Sequence, residues 1–172
     1  MTTLILNRDL QVLFADRQEV HNRSIKIETQ KIIPLKLKNS KVKGWIALAG
    51  NSDEGETFLR YLSQLTNIHE LKDLSDKRPR WKNLGGFIAL LNGDTFMISG
   101  DGTPFPVTAR YMADGAGMEA AICLLDAEVS VGKIYALLGK RTTHTSANFD
   151  HVLYTNPRAE IIHVENEDPP TR

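Results

Sequence analysis

The chain has one cysteine among 172 residues, so no disulfide can close within it. Cys123 lies in the apolar run Ala120 to Leu125 and is expected to be a buried, inert thiol. An excess of charge of one sign is also lacking, because 21 basic residues offset 21 acidic ones. With no net field to draw it toward polyanions or anionic lipid, neither nucleic acid nor a membrane is an expected partner. No apolar run reaches the ~18 residues that mark a membrane-spanning helix. No basic stretch followed by an apolar core opens the sequence, and a cytoplasmic location is expected. Phosphate loops of the G-x-x-x-x-G-K type, spaced histidine pairs on a helix and internal repeats are missing as well. No cofactor and no metal are expected.

What is present suits one domain over residues 1–164, long enough to bury most of its apolar surface, with a tail from Glu165 to Arg172 expected to be disordered. Thr3 to Asn7 alternates, breaks at Arg8-Asp9, and resumes as Gln11 to Ala15 before ending in Asp16, a pattern of two antiparallel strands. Lys31 follows in Thr29 to Leu35, and Trp45 to Ala49 reads as a third strand running into Gly50. Asn51 or Ser52 can cap a helix whose Phe58, Leu59, Leu62 and Leu65 share a face, with acidic residues in its first turn. Residues 66–84 read as loop with a short helical turn from Ile68 to Leu74. Phe87 to Leu91 and Thr95 to Ser99 flank Asn92-Gly93-Asp94, a hairpin signal. One more strand is expected and then two helices, on Met118, Ala121, Ile122 and Leu125 and, from near Ser130, on Val131, Ile134, Leu137 and Leu138. Strands His151 to Tyr154 and Glu160 to Val164 close the domain. Lys36, Lys38, Lys41 and Lys43 alternate with other residues as on an exposed strand face.

Chemistry starts at Met1-Thr2-Thr3. A small residue after the initiator methionine permits its removal, which would place a hydroxyl and a free α-amine together on Thr2. An α-amine with a reference pKa of about 8 is a usable base at neutral pH, so nucleophile and base would be one amino acid. Taken alone, Thr2 means little, Asp16 is a strand-end carboxylate, Lys31 a solvated lysine and Gly50 a helix-entry glycine. Their order along the chain gives them weight.

In that order the chain resembles the N-terminal-nucleophile hydrolases of proteasome β-subunit type, and within them the bacterial HslV type of peptidase. The resemblance rests on Thr2-Thr3, Val12 to Asp16, Gln30-Lys31-Ile32, Ile46 to Gly50 with Asn51-Ser52-Asp53, Ile98 to Gly102, and Asp114-Gly115-Ala116-Gly117. It implies an α+β fold, a four-layer αββα sandwich of two antiparallel sheets. It also implies a threonine endopeptidase acting on peptides or unfolded proteins, assembled as a homo-oligomer in stacked rings that an ATPase unfoldase can feed. In this scheme Thr2 attacks the peptide carbonyl, Lys31 stabilises charge beside it and Asp16 holds the lysine. The N–H of Gly50 receives the oxyanion. Ile33, Leu48 and Ser52 would surround the pocket for the residue before the scissile bond, with Glu19 at its rim.

Two positions depart from the family pattern. Ala116 stands where the family carries a serine at the head of the first C-terminal helix. Thr143 stands where it carries an aspartate, while Ser146 keeps the serine three residues on. These losses leave a ring subunit with weakened turnover, serving assembly or binding, as the alternative, and a small-amide hydrolase using Thr2 as a third reading. His144, Ser146, Asp150 and His151 contain the residue types of a serine triad or metal site, and Lys77 to Lys82 mixes basic residues with Trp81. A solvated loop is the default for the latter in a neutral chain.

Overall fold

The computed structural model describes the chain except residues 1, 22–24, 39–40, 73–78, 80, 142–145 and 167–172, and the side chains of 19–21, 25–28, 72 and 141. It is an α+β protein with two five-stranded antiparallel sheets, compatible with a sandwich. The first sheet contains β1 (Thr3–Asn7), β2 (Val12–Asp16), β10 (Tyr111–Gly115), β11 (Phe149–Leu153) and β12 (Ile162–Val164), in the order β10-β1-β2-β11-β12. The second contains β5 (Ile32–Lys36), β6 (Val42–Gly50), β7 (Leu84–Leu90), β8 (Thr95–Ile98) and β9 (Pro104–Pro106), in sequence order. A separate hairpin pairs β3 (Gln18–His21) with β4 (Ile25–Glu28).

Three apolar clusters explain the packing. Leu4 and Leu6 of β1, Leu13 and Ala15 of β2 and Val152 of β11 meet Ile32, Trp45, Ala47, Phe87 and Ala89 of the second sheet, so this cluster joins sheet to sheet. Ile5, Phe14 and Phe149 point the other way. They pack against Ala121 and Leu125 of α2 (Met118–Asp126) and Ile134, Tyr135 and Leu138 of α3 (Val131–Arg141). β1 is therefore buried on both faces, which is why its residues 4–6 form an unbroken apolar run. The third cluster sets Phe58 and Leu62 of α1 (Ser52–Leu62) against Ile46, Ile88 and Ile98. Burying a side chain such as Phe58 contributes about 1.5–3 kcal/mol. α1 starts where it does because the Asn51 carboxamide oxygen accepts the N–H groups of Asp53 at 2.9 Å and Glu54 at 3.2 Å.

The structure differs from the sequence expectations in several places. Cys123 is exposed, because it faces away from the stripe of α2 marked by the buried Ala121 and Leu125. Trp81 is buried, 5.0 Å from Phe58 in an edge-to-face contact, so the aromatic member of the basic stretch belongs to the core and not to a solvated loop. Lys77, Arg78 and Arg80 lie outside the described residues. The hairpin β3–β4 and the strand β5 were not expected, and two strands, β9 and β10, lie where one was expected between the 87–99 hairpin and the helix pair. Of the expected tail, Asn166 is described, and its side-chain N–H donates to the Ala147 carbonyl at 2.7 Å. The lysines at 36, 38, 41 and 43 are exposed. No helix among the described residues is long and apolar enough to cross a membrane.

Candidate active site

Thr2 stands at the head of β1 with 8% of its surface exposed. Its carbonyl accepts the Ala116 N–H at 2.8 Å, which extends the β1–β10 pairing by one residue. Gly115 makes that approach feasible. It adopts φ +90°, and a Cβ there would lie 1.8 Å from the Thr2 carbonyl oxygen. Thr3 is held on three sides. Its N–H donates to Asp16 Oδ2, its hydroxyl accepts the Gly117 N–H at 3.1 Å, and its carbonyl accepts the Tyr135 hydroxyl at 3.1 Å. Burial, reinforced by the charges of Asp16 and Asp150, holds the Tyr135 phenol well above its ordinary pKa, so it stays protonated as a donor.

Asp16 ends β2 with no exposed surface. While Oδ2 takes the Thr3 N–H, Oδ1 takes the Gln18 N–H at 2.9 Å and the Lys31 ammonium at 2.6 Å. Lys31 in turn donates to the Gln18 carbonyl. Burial is the largest influence on Asp16 and raises its pKa, against the lowering pull of Lys31 and the two backbone donors. One carboxylate thus has the Thr2–Thr3 peptide on one oxygen and an ammonium on the other.

The remaining expected residues are placed as follows. Gly50 ends β6 opposite Leu84, exposed, with φ +107°. Ser146 is partly exposed, and its hydroxyl accepts the Asn148 N–H at 3.0 Å. Asn148 reaches the neighbourhood of Asp16, because its carbonyl accepts the Arg17 N–H at 3.2 Å. Hydrogen bonds and ion pairs among the described residues join Thr3, Asp16, Gln18 and Lys31, and link neither Gly50 nor Ser146 directly to that set. Ile33 and Leu48 share the face of the second sheet that α1 covers, both packed against the α1 cluster. Ser52 is the first residue of α1 and is exposed. Glu19 pairs through its backbone with Ile27, and its side chain lies outside the described set, as do Thr143 and His144.

Ser146, Asp150 and His151 do not assemble as a triad. The fully buried Asp150 turns to His163 Nδ1 at 2.6 Å and Arg17 Nε at 3.6 Å. The His151 ring packs against Phe14 instead, 5.7 Å between centroids, and burial lowers its pKa.

Three contributions escaped the sequence reading. The Thr3 hydroxyl and Tyr135 are ordinary residues in ordinary patterns, and only the fold brings them together. Asp114 had a signal in Asp-Gly-Ala-Gly. Its Oδ1 accepts the Gly115 N–H at 2.8 Å, and its carboxylate covers Gly85, where a Cβ would meet Oδ2 at 2.5 Å. Burial raises its pKa.

Comparison with family models finds no match to the chain, and comparison with curated proteins finds none either.

Proposed function

We propose that the protein is a threonine peptidase with the four-layer αββα fold of N-terminal-nucleophile hydrolases, working from Thr2 after loss of Met1 and assembled in stacked rings. The observation that carries this reading is the Asp16 carboxylate, which ties the Lys31 ammonium and the Thr2–Thr3 peptide to its two oxygens. A cation fixed there favours a developing negative charge at the Thr2 hydroxyl and disfavours protonation of a nearby amine.

The freed α-amine takes the Oγ proton as Oγ bonds to the peptide carbonyl carbon, and the oxyanion is met by the Gly50 N–H. Collapse breaks the C–N bond, and the amine passes its proton to the leaving amino group. Water then adds to the ester with the amine as base, releasing the acid and restoring Thr2. Ile33, Leu48 and Ser52 supply a mainly apolar pocket before the scissile bond, with Glu19 at the rim. A fluorogenic peptide panel is expected to favour apolar residues there over aspartate, and a preference for acidic residues removes these side chains from the pocket.

The deciding experiment is the intact mass of the purified protein with peptide hydrolysis by wild type and Thr2→Ala. The expected result is a chain lacking Met1 whose hydrolysis disappears in the variant and whose Thr2 is modified at both Oγ and the amine by an epoxyketone. Retained Met1, or equal hydrolysis by the variant, overturns the reading. A second reading, a ring subunit with weakened turnover that serves assembly, is favoured by Ala116, which offers only its N–H beside Thr2. It is selected if Met1 is lost and rings form while hydrolysis is absent from wild type.

A further inference from the structure

We infer that Glu54 is a positioning residue for Gly50, fixing the backbone of the oxyanion donor through a closed ring of hydrogen bonds. The inference rests on the peptidase reading for the catalytic role of Gly50, and on geometry alone for the positioning.

The ring runs through three elements. The Asn51 side chain accepts the Asp53 and Glu54 N–H groups at 2.9 and 3.2 Å, which sets the first turn of α1. From that turn Glu54 Oε2 reaches across to the segment before β7 and accepts the N–H groups of Lys82 at 3.1 Å and Asn83 at 2.9 Å. The Asn83 carbonyl closes the ring by accepting the Asn51 N–H at 3.2 Å. Gly50 is the residue before Asn51, and its α-carbon lies against the same carbonyl, since a Cβ would sit 1.8 Å from the Asn83 oxygen. Its φ of +107° is therefore set against the Asn83 carbonyl.

A carboxylate that accepts two successive backbone N–H groups orients the peptide between them. Here that peptide precedes the carbonyl touching Gly50, so a shift of Asn83 reaches Gly50 without an intermediary. The bonds from Asn83 and then Lys82 hold the Glu54 carboxyl below its ordinary pKa, so at neutral pH the acceptor is the charged form. A helix-surface glutamate with no such duty would point into water.

The test compares wild type, Glu54→Ala and Glu54→Gln by amide NMR and by steady-state peptide hydrolysis. The alanine variant is expected to lose exchange protection at Lys82 and Asn83, to shift the Gly50 amide resonance, and to lower kcat on the order of tenfold with KM changed less than about twofold. Glutamine keeps an acceptor of the same reach and is expected to restore most of both effects. A cap that only stabilises the fold would lower the melting temperature and leave the Gly50 resonance and kcat in place, which overturns the inference. If the alanine variant does not fold, Glu54→Asp decides, because its carboxylate stops one methylene short of the Lys82 and Asn83 N–H groups: an unshifted Gly50 resonance together with unchanged kcat in that variant overturns it. If wild type hydrolyses nothing, the peptidase reading falls, and the Gly50 resonance alone decides whether Glu54 positions that residue.

Discussion

Asp16 and Asp150 lie on neighbouring strands of one sheet, both without exposed surface, and they are satisfied in opposite ways. Asp16 takes two backbone N–H groups, from Thr3 and Gln18, and one ammonium whose side chain is 9% exposed. Asp150 takes side chains only, His163 at 47% exposure and Arg17 at 21%, and its Oδ2 has no hydrogen-bond partner among the described residues. Backbone donors cannot leave without unfolding a strand, whereas exposed side chains can exchange a carboxylate for water. The first arrangement is therefore preorganised, which charge stabilisation during a reaction requires. The second fastens the edge strand β12 to the sheet.

The largest expected contrast comes from deleting each carboxylate. Asp16→Ala leaves the Lys31 ammonium buried beside the Gln18 carbonyl with its counter-charge gone, and two backbone donors without their acceptor. Breaking a buried pair in this way costs about 3–5 kcal/mol. Asp150→Ala releases His163 and Arg17 toward water and is expected to cost about 1–3 kcal/mol. Urea unfolding of the two variants measures both. Equal losses would mean that the difference in donors does not govern the stability of these sites.

Protonation sharpens the same comparison at intermediate size. Burial raises the Asp16 pKa above its ordinary value of 3.8, so between that value and the raised one the native state binds more protons than the unfolded chain. Asp16 therefore contributes most at the acid end, and that contribution is lost as pH rises through its folded pKa. The stability difference between wild type and Asp16→Asn is expected to move against wild type across this acid window and to level off above it. A difference that moves toward wild type with rising pH would show that Lys31 and the backbone donors outweigh burial.

Much of this site was legible in the sequence, and the remainder was not for physical reasons. Asp16 ends a strand marked by the apolar run Val12 to Ala15, Asn51 caps a helix with a clear apolar face, and Asn92-Gly93 marks its hairpin. These are local signals, and local signals survive without knowledge of the fold. β10 gave none, because Asp114 and Gly115 are poor strand formers and the strand exists through pairing with β1, more than a hundred residues earlier in the chain. β9 hides between two prolines, which an edge strand tolerates and a pattern search rejects. Lys31 beside Asp16 was expected from their order within a resemblance, while the Thr3 contacts with Gly117 and Tyr135 depend on packing α2 and α3 against the sheet. The exposure of Cys123 shows the converse error. An apolar run wraps around a helix, and one member of it has to face outward.

The smallest expected effect belongs to His163. Its ring is half exposed and its partner is buried, so the pair at 2.6 Å joins one well-hydrated group to one that is not. Replacing His163 by alanine leaves Arg17 in place, admits water where the ring stood, and removes little apolar packing from the edge of the sheet. The expected loss is at most about 1 kcal/mol, the ordinary net value of one side-chain hydrogen bond. Its location makes it informative, because among the described residues β12 pairs with β11 alone, and Asp150 lies directly opposite His163 in that register. Hydrogen exchange of residues 162–164 in His163→Ala is expected to speed up while the Thr3 amide, bonded to Asp16, stays protected. If the Thr3 amide loses protection as well, the two carboxylates are coupled through Arg17 and the strand beneath it, and their contrast in partners does not make them independent.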